Sequence, residues 1–300
     1  MNARLTTAWQ LRTRPLPLGS RTLVMGVINI TPDSFSDGGA FLDPDAAIHH
    51  ALHFLEQGAD ILDLGAESTR PGSHAGKEIA LSADEEQSRL LPVLEGILKA
   101  RPDATLSIDT YKASTARAAL SAGAEIINDV SGFTWDAALP AVCAEARCGL
   151  ILMHTRGLPD EWIAQSKLSP GALLEAVRSG LTASLATARA AGIAPESIVL
   201  DPGYGFGKRL DENYALIARQ HELLSLGRPI LAGLSRKSFL GHTLASLHGG
   251  ATASPTQREN ATIAAHTVAI LHGASIIRTH AVRCGVEAAR IADAILSASE

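Results

Sequence analysis

Cysteine is scarce in this 300-residue sequence, with only three occurrences. Cys143, Cys148 and Cys284 form no CxxC pair, so they do not suggest a zinc site. An odd and sparse set of cysteines does not make a disulfide framework either. We therefore expect small buried thiols, as in proteins of a reducing cytosol.

Long apolar runs are also missing. No run reaches the roughly 18 residues that a membrane-spanning helix needs. The segment Met1–Ser20 is interrupted by Arg12, Arg14, Pro15 and Pro17, so it lacks the apolar centre of a secretory signal. These absences predict a soluble, cytoplasmic protein with no membrane partner.

An excess of positive charge is the third absence, since the formal net charge is -5. Nucleic-acid binders are more often basic, so we expect no nucleic-acid partner. An anionic substrate would have to meet a local cluster of cations. Because 46% of the residues are hydrophobic and 19% are charged, a substantial buried core is expected.

Short apolar runs alternate with longer helical patterns along the whole chain. Most of these runs lack polar alternation, as strands that are buried on both faces do. The eight runs are Leu23–Ile30, Asp60–Leu64, Thr105–Ile108, Glu125–Asn128, Leu150–Met153, Ser197–Leu200, Pro229–Ala232 and Ser275–Arg278.

The helical stretches between these runs are rich in alanine and leucine, and they include Asp45–Gln57, Ser82–Lys99, Leu173–Ala191 and Glu259–His272. Eight βα units in one chain predict an α/β fold, a single-domain (β/α)8 TIM barrel. The rival is an open doubly wound sheet, but no GxGxxG follows the first strand. We expect residues 1–22 to form a hairpin or plug at the barrel floor, and residues 23–300 to form the barrel.

The C-terminal ends of the strands are where barrels of this kind carry their active sites. All eight runs lead into polar or ionisable residues. These are Asn29, Asp63 with Glu67 beyond it, Asp109, Asn128 with Asp129, His154, Asp201, Ser235–Ser238, and Arg278 with His280. Any one of them could be a helix cap, but eight together favour a polar pocket.

This pocket is predicted to have two electrostatic halves. Arg278 and His280 lie two residues apart on an extended segment, so their side chains point the same way and suit a phosphate or pyrophosphate. Asp109, Asn128 and Asp201 suit the other half, a flat ligand with several N–H donors along one edge. Lys237 adds a donor for a ring carbonyl or ring nitrogen.

Eight segments of the chain together resemble the dihydropteroate synthase family, in the family's order and over nearly the whole barrel. Such a set is far more specific than a single motif. The segments are MGVINITPDSFSDGG (25–39), LDLGAESTRPGS (62–73), SIDTYK (107–112), INDVSG (127–132), LMH (152–154), LDPGYGFGK (200–208), GLSRKSFLG (233–241) and IIRTH (276–280).

The resemblance implies a condensation of 6-hydroxymethyl-7,8-dihydropterin pyrophosphate with 4-aminobenzoate, of SN1 type. It implies a pterin site at Asp109, Asn128, Asp201 and Lys237, with Met153 and Phe206 packed near the ring. It implies a pyrophosphate site at Asn29, Arg70, Arg278 and His280, accompanied by Mg²⁺ with Asn29 as its protein ligand. The 4-aminobenzoate would lie near Thr69, Pro71 and Ser238, under the loops that follow the first two strands.

The carbocation of such a reaction needs nearby negative charge and exclusion of water, which Asp33 and closed loops could supply. The family is usually dimeric, so the apolar helix Glu259–His272 is expected to contribute to a homodimer. Where the family usually has aspartate after the histidine of the last motif, this chain has Ala281. Two alternatives stay open: a methyltetrahydrofolate-dependent methyltransferase barrel, and an inactive barrel kept as a binding subunit.

Overall fold

The computed structural model describes residues 4–31, 43–69 and 72–298. Within these ranges the strands are β1 (Thr7–Gln10), β2 (Pro15–Leu18), β3 (Leu23–Asn29), β4 (Ile61–Gly65), β5 (Leu106–Asp109), β6 (Ile126–Asp129), β7 (Gly149–Met153), β8 (Ile198–Asp201), β9 (Ile230–Ala232) and β10 (Ala274–Thr279). The α-helices are α1 (Pro44–Glu56), α2 (Ala83–Ala100), α3 (Ala113–Ser121), α4 (Leu139–Ala146), α5 (Pro170–Ala190), α6 (Glu212–Arg219), α7 (Ser238–Thr243), α8 (Glu259–Leu271) and α9 (Val282–Ser297).

The eight strands from β3 to β10 form a closed parallel barrel, because β10 pairs with both β9 and β3. The predicted (β/α)8 fold is therefore confirmed, and the open sheet is excluded. Each predicted apolar run coincides with one barrel strand to within a residue or two at either end. Within the described ranges, no helix is long and apolar enough to cross a membrane.

Several of the surrounding helices begin where the sequence supplies a capping side chain. Asp43, Ser82 and Ser169 each accept a backbone N–H of the first turn of α1, α2 and α5. Such caps satisfy one of the four N–H groups that a helix start leaves unpaired. They fix the points at which the chain leaves each loop for its helix.

Side chains on the barrel strands alternate between the lumen and the helices. The outward residues join one large core with the helices, including Val24, Leu62 and Ile127. The inward residues form a separate, smaller cluster in the lower lumen. That cluster contains Leu23, Met25, Ile61, Ile126, Ile151, Val199, Leu231 and Ile276.

The antiparallel hairpin β1–β2 completes this lower cluster. Its residues Trp9, Leu11 and Leu18 are buried in the same cluster as the inward strand residues. The Trp9 indole Nε1 donates to the carbonyl of Ser197, immediately before β8, at 2.7 Å. Residues 7–18 thus close the N-terminal end of the barrel and leave the other end for the site.

Candidate active site

The upper lumen is polar because the inward positions change from apolar to polar two residues further along several strands. Above Ile61, Ile126 and Ile276 come Asp63, Asn128 and Arg278, which point inward by the same alternation. The end of the lumen predicted to hold the site is therefore lined by charged and amide side chains.

Asp63 is the centre of this polar layer and is completely buried. Its Oδ1 accepts the Ser107 hydroxyl at 2.6 Å. Its Oδ2 accepts Asn128 Nδ2 at 2.9 Å and Arg278 Nε at 2.6 Å. Asp63 stands at a predicted strand end but is not among the site residues predicted from the sequence. Its spacing of two from the apolar, inward Ile61 is the signal that identifies it.

Arg278 connects the two predicted halves of the pocket. Its Nε binds Asp63, and its Nη2 donates to Asp109 Oδ2 at 2.8 Å. The expectation of separate cationic and anionic halves was therefore wrong, because the barrel brings both strand ends to one point across the lumen. Nη1 makes no hydrogen bond to another described residue, so this NH₂ of the guanidinium is left for a ligand.

Asp109 and Lys237 both have shifted pKa values in this enclosed site. Burial raises the pKa of Asp109 to about 7, opposed by Arg278 and reinforced by the Asp63 carboxylate. Burial lowers the pKa of Lys237 to about 8, against the stabilising effect of Asp201. Both groups therefore change charge close to neutral pH, as site residues often do.

Asp201 has a double role at the end of β8. Its Oδ1 accepts the backbone N–H of Gly203 at 2.7 Å, which shapes the following turn. Gly203 has φ of +70°, and a Cβ there would collide with the carbonyl of His154, so only glycine fits. Oδ2 makes no hydrogen bond to another described residue and remains available to a ligand. Burial raises the pKa of this carboxyl.

An apolar wall stands beside these polar groups. Met153 at the end of β7 packs with Tyr111, Val130 and Ala75, and Phe206 packs against this cluster. Lys237 Nζ lies 4.0 Å from the centre of the Phe206 ring, within cation–π distance. These side chains give the pocket an apolar surface beside its polar groups.

The opposite side of the opening carries His280, Asn29 and Ser238. Ser235 fixes His280, since its hydroxyl oxygen lies 3.0 Å from Nδ1 and accepts the backbone N–H at 3.1 Å. Asn29 is partly exposed at the end of β3. Ser238 is exposed and is the first residue of α7.

Arg236, one of the polar residues Ser235–Ser238 that follow β9, does not face the pocket. Its Nε donates to Glu259 at 2.6 Å, at the start of α8. The residue has φ of +58° and its backbone N–H is held by Thr262. This local geometry turns Arg236 outward to a helix, while Lys237 faces the pocket.

Three predicted site residues, Asp33, Arg70 and Pro71, lie outside the described residues. Thr69 is the last described residue before one of these gaps and is half-buried. Their predicted roles stay predictions.

Other candidates have structural roles. The Asp129 carboxylate accepts the backbone N–H groups of Ser131 and Phe133, as expected for a cap. His154 is buried against Gly180 of α5, which favours core packing over a pocket role. Lys208 is buried and donates to the carbonyl oxygens of His154 and Phe206, at 3.0 and 3.1 Å, and so holds the loop after β8.

Within the described part of the chain, no group of three or more His, Cys, Asp or Glu side chains is placed to hold a metal ion. The histidine pair His49 and His53 accordingly lies on the surface of α1, where His53 interacts with Gln57 and Glu56. A separate cleft of about 330 Å³ opens at the hairpin end of the barrel. It is lined by residues such as Arg12, Arg14 and Glu125 and shares none with the site.

Comparison with known proteins identifies the family. The model of the pterin-binding enzyme family matches residues 25–280. Dihydropteroate synthase of Mycobacterium leprae is 44% identical over 92% of this chain and 94% of its own length. That of Synechocystis is 41% identical over 94% of this chain and 95% of its own.

Solved structures agree with these matches. Dihydropteroate synthase from Clostridium difficile, determined with pteroic acid, superposes with a TM-score of 0.82 at 40% identity, over 93% of this chain and 98% of that one. The Xanthomonas albilineans enzyme with 4-aminobenzoic acid gives 0.85 at 36% identity, over 98% and 99%. The resemblance seen in the motifs is confirmed: this chain belongs to the pterin-binding enzymes and, among them, to the dihydropteroate synthase family of transferases.

Proposed function

We propose that this chain joins 6-hydroxymethyl-7,8-dihydropterin pyrophosphate to 4-aminobenzoate, giving 7,8-dihydropteroate and pyrophosphate. The observation that carries the proposal is the arrangement at the upper lumen. There the carboxylates and the amide of the polar layer lie beside the apolar wall of Met153 and Phe206, together with the guanidinium of Arg278. Relatives determined with pteroic acid and with 4-aminobenzoic acid support both substrates.

The pterin ring is proposed to lie between Met153 and Phe206. Its amine and ring N–H groups donate to Asp201 Oδ2 and Asp109, and the Asn128 carboxamide oxygen adds a further acceptor. Lys237 donates to the ring carbonyl or a ring nitrogen. Ionic hydrogen bonds of this kind contribute about 1.5–3 kcal/mol each, so together they fix the orientation of the ring.

The pyrophosphate is proposed to lie between Arg278 Nη1, His280 and Asn29, with Arg70 reaching it from the loop after β4. The bond between the methylene carbon and the pyrophosphate oxygen breaks with its electron pair leaving on oxygen. Positive charge at Arg278 stabilises the anion that departs. Because Nε and one Nη2 hydrogen are already bound to carboxylates, this arginine offers the pyrophosphate its remaining N–H donors, two on Nη1 and one on Nη2.

The magnesium ion expected from the family fits only as a companion of the substrate. Mg²⁺ prefers oxygen ligands and is usually held by one or two protein groups plus substrate phosphates. The carboxamide of Asn29, at the mouth end of β3, suits such a single contact. When bound, the ion would neutralise part of the pyrophosphate charge.

The arylamine needs no enzyme nucleophile, because its own nitrogen lone pair forms the new C–N bond and it then loses a proton. We place its binding near Thr69, Pro71 and Ser238. Asp33, in the loop after β3, is proposed to stabilise the pterin cation. Exclusion of water at that stage protects the cation from hydrolysis.

The deciding experiment is a pyrophosphate-release assay on the purified protein with both substrates, combined with isothermal titration of each. We expect release that depends on 4-aminobenzoate, and formation of dihydropteroate. Pterin binding without pyrophosphate release would instead favour an inactive binding barrel. Methyl transfer from methyltetrahydrofolate would favour the methyltransferase alternative.

A homodimer is the second part of the proposal. Exposed apolar side chains occur on two adjacent helices, with Val268 on α8 and Ile291 and Ile295 on α9. Ile291 and Ile295 are four residues apart and so share one helix face. Sedimentation of the wild type and of Ile291→Glu should show a dimer and a monomer, respectively. The cytoplasmic location stays a prediction.

A further inference from the structure

Three charged side chains, one buried and two nearly so, lie beneath the loop that follows β4. Lys112 Nζ is 2.5 Å from Glu67 Oε2 and 3.1 Å from Glu86 Oε2. The side chains of Lys112, Glu67 and Glu86 are only 12%, 10% and 1% exposed. None of the three has a role in the proposed reaction. We call this group the clasp.

The clasp joins three separate elements. Glu67 is in the loop directly after β4, Lys112 is the residue before α3, and Glu86 is in the first turn of α2. Thr115 of α3 also donates to Glu86, at 2.8 Å. The position of Glu67 is therefore set by two helices of the barrel wall.

The same glutamate closes the neck of the loop. Glu67 Oε1 accepts the backbone N–H of Leu81 at 3.1 Å, just before α2 begins. One side chain thus binds Lys112 with one oxygen and the far end of the loop with the other. This single carboxylate therefore joins the first described residues after β4 to the residue that precedes the cap of α2.

The distal part of the loop is attached to the pocket wall. The Gly76 N–H donates to the Tyr111 hydroxyl at 2.9 Å, and the Gly72 N–H donates to the Pro159 carbonyl at 3.2 Å. Lys77 forms an ion pair with Asp160. Tyr111 belongs to the apolar wall and is the neighbour of Lys112 in sequence. Residue 69 lies between the neck and this attached part.

A buried ion triad is a costly way to gain stability, because desolvation of the charges offsets most of their attraction. Apolar residues of similar size would hold the helices together equally well. What the charges add is direction, since each oxygen of Glu67 has one defined partner. The arrangement therefore suits a role in fixing the geometry of the loop.

We propose that Glu67 and Lys112 are positioning residues for the arylamine substrate. They touch no substrate; they hold the neck of the loop so that Thr69 stands at the 4-aminobenzoate site. This inference rests on the proposed function, which places that substrate under this loop. The pterin site, built on strand ends, does not depend on the clasp.

Glu67→Gln tests this most cleanly. Glutamine keeps an oxygen for the Leu81 N–H but turns an NH₂ toward Lys112, whose charge is then balanced by Glu86 alone. Lys112→Met removes the centre of the clasp, and Lys112→Arg is its conservative partner. Arg4→Met, which breaks a buried ion pair with Asp293 remote from the site, is the matched control.

We expect Glu67→Gln and Lys112→Met to raise KM for 4-aminobenzoate about tenfold or more, with KM and the titrated Kd for the pterin pyrophosphate changed less than about threefold. Lys112→Arg should recover most of the loss. Arg4→Met should lower the melting temperature and leave both KM values unchanged. If Lys112→Met does not fold, Glu67→Gln alone decides.

Equal increases in both KM values, or a lower melting temperature with both KM values unchanged, would overturn the positioning role. The wild type in the same assay separates the two proposals. If the wild type turns over and the clasp variants have unaltered KM values, only the positioning role is rejected. Absence of wild-type turnover rejects the proposed function, and the positioning role with it.

Discussion

The two ends of the barrel lumen are built from the same strands and the same alternation of side chains, yet they differ in chemistry. At the hairpin end, Ile61, Ile151 and Ile276 pack with Trp9 in an apolar cluster. Two residues further along the strands, Asp63 is equally buried but charged, and its partner Arg278 is 21% exposed.

The difference separates stability from function. The lower cluster removes apolar surface from water, which stabilises the fold by about 25 cal/mol per Å². The upper layer buries charges that need partners to be tolerated there. Substitutions at the hairpin end of the lumen should therefore alter stability alone, whereas substitutions at the other end should alter catalysis.

Arg278→Ala should give the largest effect. It removes the partner of Asp63 and Asp109 together, leaving two enclosed carboxylates. We expect kcat/KM for the pterin pyrophosphate to fall at least about 100-fold and the free energy of unfolding to fall by about 3 kcal/mol. Arg278→Lys, which cannot span both carboxylates, should restore more stability than activity. Steady-state kinetics and denaturant unfolding measure both, and normal turnover by Arg278→Ala would remove this residue from the site.

Ile151→Ala examines the other end of the lumen. The side chain is completely buried in the lower cluster, so truncation leaves a cavity costing about 2–5 kcal/mol. Below its melting temperature the variant should keep kcat/KM within about twofold of wild type. A large kinetic defect in the folded variant would show that the two ends are coupled.

Asp201→Asn isolates one oxygen of the polar layer. Asparagine still accepts the Gly203 N–H through Oδ1, but its NH₂ replaces the oxygen proposed to accept the pterin N–H groups. We expect a loss of at least about tenfold in kcat/KM and little change in melting temperature. Asp129→Asn is the matched control, since Asp129 caps the loop after β6 with both oxygens. It should lower the melting temperature and spare turnover. The same pattern in Asp201→Asn, a lower melting temperature with near-normal turnover, would make Asp201 merely a cap.

The pH profile of kcat/KM should report the shifted groups of the free enzyme. Burial raises the pKa of Asp109 to about 7, so below that pH it becomes protonated and loses its strength as an acceptor. Burial lowers the pKa of Lys237 to about 8, so above that pH the ammonium is lost. Activity should peak between these values. Asp109→Asn should abolish the acidic limb, and an unchanged limb in this variant would assign it to another group.

The same shift has a defined consequence for stability. A carboxyl whose folded pKa is above its unfolded value stabilises the fold below about pH 4 and loses that contribution as the pH rises through about 7. Denaturant unfolding of the wild type and of Asp109→Asn should therefore differ most in their pH dependence across this interval.

The barrel strands could be predicted from the sequence because strands buried on both faces carry short apolar runs without polar alternation, such as Leu23–Ile30. The location of the site at the strand ends could also be predicted, because barrels of this kind carry their active sites there. What the sequence did not supply is the distance across the lumen. The pairing of Arg278 with Asp63 and Asp109 depends on the closure of the barrel, not on local pattern.

Side-chain direction at a strand end was a second gap. Asp63 was passed over because its inward orientation follows only when Ile61 is known to face the lumen. Arg236 was grouped with Lys237 because both belong to one motif. Its positive φ and its pairing with Glu259 depend on the position of α8, which the local sequence does not encode.

Ala281→Asp should give the smallest effect, and it examines how far the catalytic end of the lumen extends. Ala281 precedes α9 at the site end of β10 and makes no side-chain cap, so the first turn of a 16-residue helix lacks a side-chain acceptor. An aspartate there can accept a backbone N–H of that turn and place negative charge at the positive end of the helix dipole.

We therefore expect Ala281→Asp to increase the free energy of unfolding by about 0.5–2 kcal/mol, with kcat/KM unchanged. Ala281→Asn, which caps without a charge, should give most of the same gain. Denaturant unfolding and steady-state kinetics on the two variants provide the test. A rise in kcat/KM with aspartate but not with asparagine would mean that the carboxylate acts on the adjacent His280. Residue 281, directly before α9, would then belong to the catalytic end of the lumen.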